Sequence, residues 1–172
     1  MNTENRQEWY KKAEQWELKF CSDVAPRFGI TTEINPNKEV HPEDNDLLVH
    51  LPDGRSIIGE LKPNFKPFFM AGKLYSINPQ YAFAFNVRDM RDIPEDGIVF
   101  VWLKFRHVTA YGVTVQYMEK VYGEWGKDFL EKINTANAPI HHYQRRVNDP
   151  VNAKCSYILD ARMFREIKEI DA

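Results

Sequence analysis

The sequence predicts an α/β fold in which a central mixed β-sheet is flanked by helices, with residues 1–172 forming one domain. Three observations lead there. A helical apolar period opens the chain, a hairpin signature occupies residues 43–62, and strand-like runs then alternate with two further helical stretches. With 43% hydrophobic residues, a chain of 172 residues can bury one sizeable core and is short for two.

Residues 3–25 read as an amphipathic helix, with Thr3 as N-cap and Pro26 and Gly29 at the exit. Trp9, Ala13, Trp16, Phe20 and Val24 recur at spacings of three and four and, with Tyr10 and Cys21, make one apolar face. Glu17 falls inside that face. A carboxylate there costs free energy unless it is paired, hydrogen-bonded or bound to a cation, so Glu17 either serves a site or reaches water or an arginine at the rim.

Gly29–Ile34 is a short strand, followed by an Asn35-Pro36-Asn37 turn and a polar loop through Pro42. Leu47–Leu51 and Arg55–Leu61 are the two arms of the hairpin, joined by Pro52-Asp53-Gly54. Pro fixes φ at the first turn position, Asp suits the second, and Gly accepts a left-handed bulge, which makes a three-residue loop and pairs Leu51 with Arg55. Counting back along the ladder, Asp46 then meets Glu60, Asp44 meets Lys62, and all four side chains share one face. A two-residue loop would put Asp46 and Glu60 on opposite faces. Pro63 ends the strand or turns it into an edge.

Between Asn64 and Pro79, Phe65, Phe68, Phe69 and Tyr75 interleave with Lys66 and Lys73. Such a stretch either stacks bases and neutralises phosphates or supplies core aromatics beside solvated lysines. Tyr81–Val87 alternates as a strand, Ile98–Phe105 is a more continuously apolar one, and a polar connection joins them. Val108–Tyr117 is a further strand interrupted at Gly112, and Glu124–Thr135 a helix with Trp125, Phe129, Leu130 and Ile133 inward. Ile140–Lys154 reads as a long loop or irregular strand, in which Arg145 and Arg146 are candidate phosphate contacts. Ser156–Leu159 is a short strand, Asp160 an N-cap, and Ala161–Ile170 a closing helix with Met163, Phe164, Ile167 and Ile170 inward.

The formal net charge of −2 argues against a generic polyanion binder. Residues 1–54 carry 6 basic and 11 acidic side chains and residues 55–106 carry 8 and 5, which permits a local nucleic-acid surface beside a carboxylate cluster. Cys21 and Cys155 are too few for a zinc ribbon or a disulfide framework, which favours a reducing, cytoplasmic setting. No apolar run approaches membrane-spanning length, and the polar N-terminus is unlike a signal peptide. His107, His141 and His142 lack zinc-motif spacing, and neither a phosphate-cradling glycine loop nor a Gly-x-Ser-x-Gly nucleophile is present.

Two acids near a lysine suit divalent-metal chemistry on phosphate. Mg²⁺ prefers carboxylate and water oxygens, so Asp46 and Glu60 offer part of a shell, and Lys62 can orient an attacking water or stabilise charge on phosphorus. Asp46, thirteen residues, then Glu60-Leu61-Lys62 resembles the signature of the PD-(D/E)xK nuclease superfamily. The resemblance implies a restriction-endonuclease-like core of a helix, a three-stranded meander, a helix or loop, and another strand. It implies Asp46 and Glu60 as ligands of Mg²⁺, with Mn²⁺ as substitute, Lys62 as catalytic lysine, and Glu17 as the first-helix glutamate near the metal. Asn45 stands where the family name has proline, Asp44 is a competing ligand, and Lys73 or Gln80 is a candidate for the polar residue that usually follows the lysine.

The expected function is therefore a Mg²⁺-dependent endonuclease acting on DNA, with Lys66, Lys73, Arg145 and Arg146 contacting nucleic acid and a homodimer where both strands are cut. Two alternatives stay open. One is a catalytically inactive nuclease-like fold that binds nucleic acid or a protein partner, and the other is a metal-dependent ribonuclease.

Overall fold

The first helix, α1 (Thr3–Lys19), does not run straight to Val24. It widens into a π-helical turn over Phe20–Val24 and tightens into a 3-10 turn over Ala25–Phe28, closed by Gly29 at φ +72°. Pro26 accounts for the change of winding, because its ring and missing N–H stop an α-helix from continuing. The structure, a computed structural model, describes residues 3–41, 44–142 and 155–170. Arg145 and Arg146, with the side chains of Trp9 and Tyr10, lie outside the described residues. Phe20 and Val24 are buried as expected, but Trp16 is 41% exposed, so the inward stripe is narrower than the helical wheel implies.

The remaining elements are β1 (Thr31–Ile34), β2 (Leu47–His50), β3 (Ser56–Asn64), α2 (Met70–Tyr75), β4 (Ala82–Asn86), β5 (Ile98–Phe105), β6 (Val108–Ala110) and β7 (Val113–Val115). After them come β8 (Met118–Trp125), α3 (Gly126–Thr135), β9 (Ile140–His142), β10 (Cys155–Asp160) and β11 (Arg165–Ile167). Among the described residues, six strands form a mixed sheet in the order β1-β2-β3-β5-β8-β11, in which only β3 and β5 run parallel. A second sheet, β4-β10-β9, and the β6–β7 hairpin complete the strands described.

The turn between β2 and β3 has the three-residue form. Leu51 N–H donates to Arg55 O at 2.8 Å, Gly54 takes φ +92°, and the ladder pairs Leu47 with Gly59. One step further, Asp46 stands across from Glu60. There β2 ends while β3 runs on beside β5 as far as Asn64, so a notch opens along one edge of β3. Leu61 N–H points into that notch, and the nitrogen of Pro63, two residues on, faces the same side where no strand needs its missing donor.

The centre of the large sheet is buried on both faces. Phe20, Val24, Ala25 and Phe28 cover one face over Leu47, Val49, Leu61, Phe100 and Trp102. On the other, Val99, Val101, Leu103 and Phe105 pack against Phe83 and Phe85 of β4, Phe129 and Ile133 of α3, and Leu159 of β10. The flanks are thus the π and 3-10 turns that continue α1 on one side and a small sheet with α3 on the other.

Three expectations are corrected. Residues 161–170 form no helix: Asp160 caps a single 3-10 turn, Ala161–Met163, and the chain then pairs with β8 as β11, because the exposed ladder of β8 takes up Arg165–Ile167. Val108–Tyr117 is a hairpin, with Tyr111 at φ 51° and Gly112 at φ 74° reversing the chain. Trp125 is 40% exposed at the start of α3 instead of inward.

Candidate functional site

Three carboxyl groups converge at the notch. Glu17 comes from α1, Asp46 from the residue before β2, and Glu60 from β3, and all three line a cleft of ≈ 1380 Å³. Glu17 is 5% exposed. Its Oε1 accepts from Lys38 Nζ at 2.8 Å, while its buried Oε2 has no hydrogen-bond partner.

Asp46 uses both oxygens. Oδ1 accepts from Lys38 Nζ at 3.1 Å and Oδ2 from the Leu61 N–H at 3.0 Å. Burial pushes its pKa up, but the Lys38 charge and the Leu61 N–H outweigh burial and hold Asp46 below the usual carboxylate value. Asp46 is therefore the fixed negative charge of the group. Its two neighbours respond to it: burial, then the charge of Asp46, raises Glu17 from 4.5 to about 7 and Glu60 from 4.5 to about 8.

Lys38 comes from a 3-10 turn, Pro36–Glu39, between β1 and β2. Buried Asn35 sets that turn in place: its Oδ1 accepts from Asn37 N–H at 3.1 Å, its Nδ2 donates to Asn45 O at 3.0 Å, and its N–H donates to Asp46 O at 3.1 Å. Burial alone would lower the Lys38 pKa, but Asp46 and Glu17 reverse that and raise it. Asn45 donates one Nδ2 bond to Glu60 Oε1 and another to Asp92 O at 2.9 Å. Asn45 thus orients Glu60.

Lys62 also lines the cleft. Its Nζ donates to Asp89 Oδ2 at 3.1 Å and lies 5.1 Å from the centre of the Phe85 ring. Asp44 lines the cleft too, but the ladder does not extend to pair it with Lys62, whose salt-bridge partner is Asp89.

Lys66 and Lys73 are exposed and do not line the cleft; Lys11 and Lys12 do. The aromatics between 64 and 79 are taken up by packing. Phe65 sits 4.6 Å from Trp16 and 4.8 Å from Trp102, Phe68 and Tyr75 hold the His141 ring, and Phe69 meets Tyr111. Sequence reasoning missed Lys38 and Asp89 as members of the site and gave Asn45 no role in it; Lys38 and Asp89 sit in polar connections whose sequence names no partner.

Among the described residues, no three His, Cys, Asp or Glu side chains are gathered as a ready metal site. Lys38 stands between Glu17 and Asp46, and Asn45 occupies an oxygen of Glu60. The donor chemistry nonetheless fits a hard dication: the three acids offer only oxygen donors, and the buried Glu17 Oε2 has no partner. No family model, curated protein or solved structure matches the chain. Among the described residues, no helix is long and apolar enough to cross a membrane.

Proposed function

We propose that this protein is a divalent-metal-dependent phosphodiesterase that cleaves nucleic acid, with DNA as the first substrate class to test. The observation that carries the reading is the convergence of Glu17, Asp46 and Glu60 on a cleft they share with Lys62. The order of elements supports it: a helix bearing a buried glutamate, then the antiparallel run β1-β2-β3, then a parallel strand beside β3, is the order expected of a restriction-endonuclease-like core.

In this reading Asp46 and Glu60 hold the ion and Glu17 supports it. Bound there, Mg²⁺ would polarise a phosphoryl oxygen and lower the pKa of a coordinated water. Asp46, ionised throughout the neutral range, supplies charge without a proton to lose. Asn45 fixes the orientation of Glu60, and Asp89 holds the Lys62 ammonium at the cleft wall, where it faces an incoming phosphate.

The test is incubation of purified protein with duplex, single-stranded and branched DNA, and with RNA, with and without Mg²⁺ or Mn²⁺. Cleavage should need the metal and be lost in the Glu60→Ala, Lys62→Ala double variant. Cleavage surviving in that variant would overturn it.

A second reading is a binding protein without catalysis. Among the described residues, nine acidic side chains and four lysines line the cleft, a balance unfavourable to a polyanion unless cations enter first. A melting scan separates the two. A metal site linked to folding raises the transition temperature on adding Mg²⁺ or Mn²⁺ and loses the effect in Asp46→Ala, whereas a metal-free binder shows no shift in either protein.

A further inference from the structure

We infer that Lys38 is the resident counter-ion of Glu17 and Asp46 and must swing out before a divalent cation can bind, so that ammonium and metal compete for one place. This rests on the metal-dependent reading above. The Nζ of Lys38 lies 2.8 Å from Glu17 Oε1 and 3.1 Å from Asp46 Oδ1, between two of the three acids that would face the ion. A cation placed against those oxygens meets a positive charge already bound by two charge-assisted hydrogen bonds.

The turn does not depend on the side chain that has to leave. Asn35 N–H bonds Asp46 O and Asn35 Nδ2 bonds Asn45 O, while Val40 and His41 N–H groups both close on Asn37 O, at 3.2 and 2.8 Å. None of these bonds involves the Lys38 ammonium. Lys38 itself lines the cleft and its side chain is 16% exposed, so the flexible four-carbon stem has solvent to swing into. Departure frees Glu17 Oε1 and Asp46 Oδ1 next to Glu17 Oε2, which already lacks a partner. Lys62 does not replace Lys38, because its ammonium is bonded to Asp89.

A lysine that only props up the fold would behave differently from one that competes with metal. Calorimetric titration with Mn²⁺ alone, on wild type and on Lys38→Met, reads the difference. The expected result is Mn²⁺ affinity at least about tenfold higher in Lys38→Met, since the metal no longer has to break two hydrogen bonds or displace a charge. A second measurement needs no variant: acylation of Lys38 in the wild-type protein, followed by peptide mass spectrometry, should be slow without Mg²⁺ and accelerate when Mg²⁺ is added. Folded Lys38→Met that binds Mn²⁺ no more tightly than a wild type that does bind it overturns the inference and leaves the metal reading standing. If neither protein binds Mn²⁺, both fall. If the variant does not fold, labelling decides, and a Lys38 rate unchanged by Mg²⁺ overturns the inference.

Discussion

Asp46 faces Glu60 one step beyond the last pair of the β2–β3 ladder, and the charge of Asp46 helps to raise the Glu60 carboxyl. Asp46 is tied to Lys38 and to the Leu61 N–H and stays ionised; Glu60, buried beside that charge, keeps its proton to about pH 8. The hairpin turn is the origin of the pairing, because a loop one residue shorter would send the two side chains to opposite faces.

The raised acids make stability depend on pH with a definite sign. A carboxyl whose folded-state pKa exceeds its unfolded value binds more protons folded than unfolded, so stability falls as pH rises between the two values. For Glu17 that window runs from 4.5 to about 7 and for Glu60 from 4.5 to about 8. In chelator, chemical denaturation at pH 5 and pH 8.5 should show lower stability at the higher pH. Glu60→Gln, which cannot ionise, should flatten the dependence, and a slope unchanged in the variant would contradict the assignment.

Gly54 tests the turn itself. It sits at φ +92° with open space where a Cβ would go, so Gly54→Ala adds no clash and costs only backbone strain. Urea denaturation should show a loss of about 1 kcal/mol. A neutral result would mean that the bulge is not needed to hold the register.

Phe129 tests the packing behind the site. It is fully buried, stacks on Phe164 with ring centres 4.6 Å apart and meets Phe85 edge-on at 5.3 Å. Phe129→Ala should cost about 3–5 kcal/mol in equilibrium unfolding. A loss below about 1 kcal/mol would mean that α3 does not close that face of the sheet as described.

What the sequence made legible was local. The Pro52-Asp53-Gly54 turn carries its own register, the continuous apolar run of β5 gives Ile98–Phe105 its bounds, and Glu17 stands out because its neighbours in the stripe are apolar. What it hid was decided at long range. β8 shows no clean period because Glu119, Lys120 and Glu124 interrupt it, and each is satisfied by a distant partner: Glu119 by Arg27 and Trp102 Nε1, Lys120 by Glu166, and Glu124 by Lys132. Met163, Phe164, Ile167 and Ile170 have helical spacing, yet pairing with β8 overrides it. Lys38 lies in a polar turn without periodicity, and nothing local says that two acids from other elements will close on it.

The most direct measurement is a time course of DNA cleavage in Mg²⁺ by wild type and by Glu60→Gln, at a pH above 8 where Glu60 is ionised and with folding of the variant verified. Glu60→Gln keeps the shape and the Asn45 contact but removes the charge that would hold the metal. Wild type should cleave in a reaction that chelator abolishes, and the variant should be at least about 100-fold slower. Equal rates in the two proteins, or no cleavage of any nucleic acid by wild type with Mg²⁺ or Mn²⁺, would contradict it.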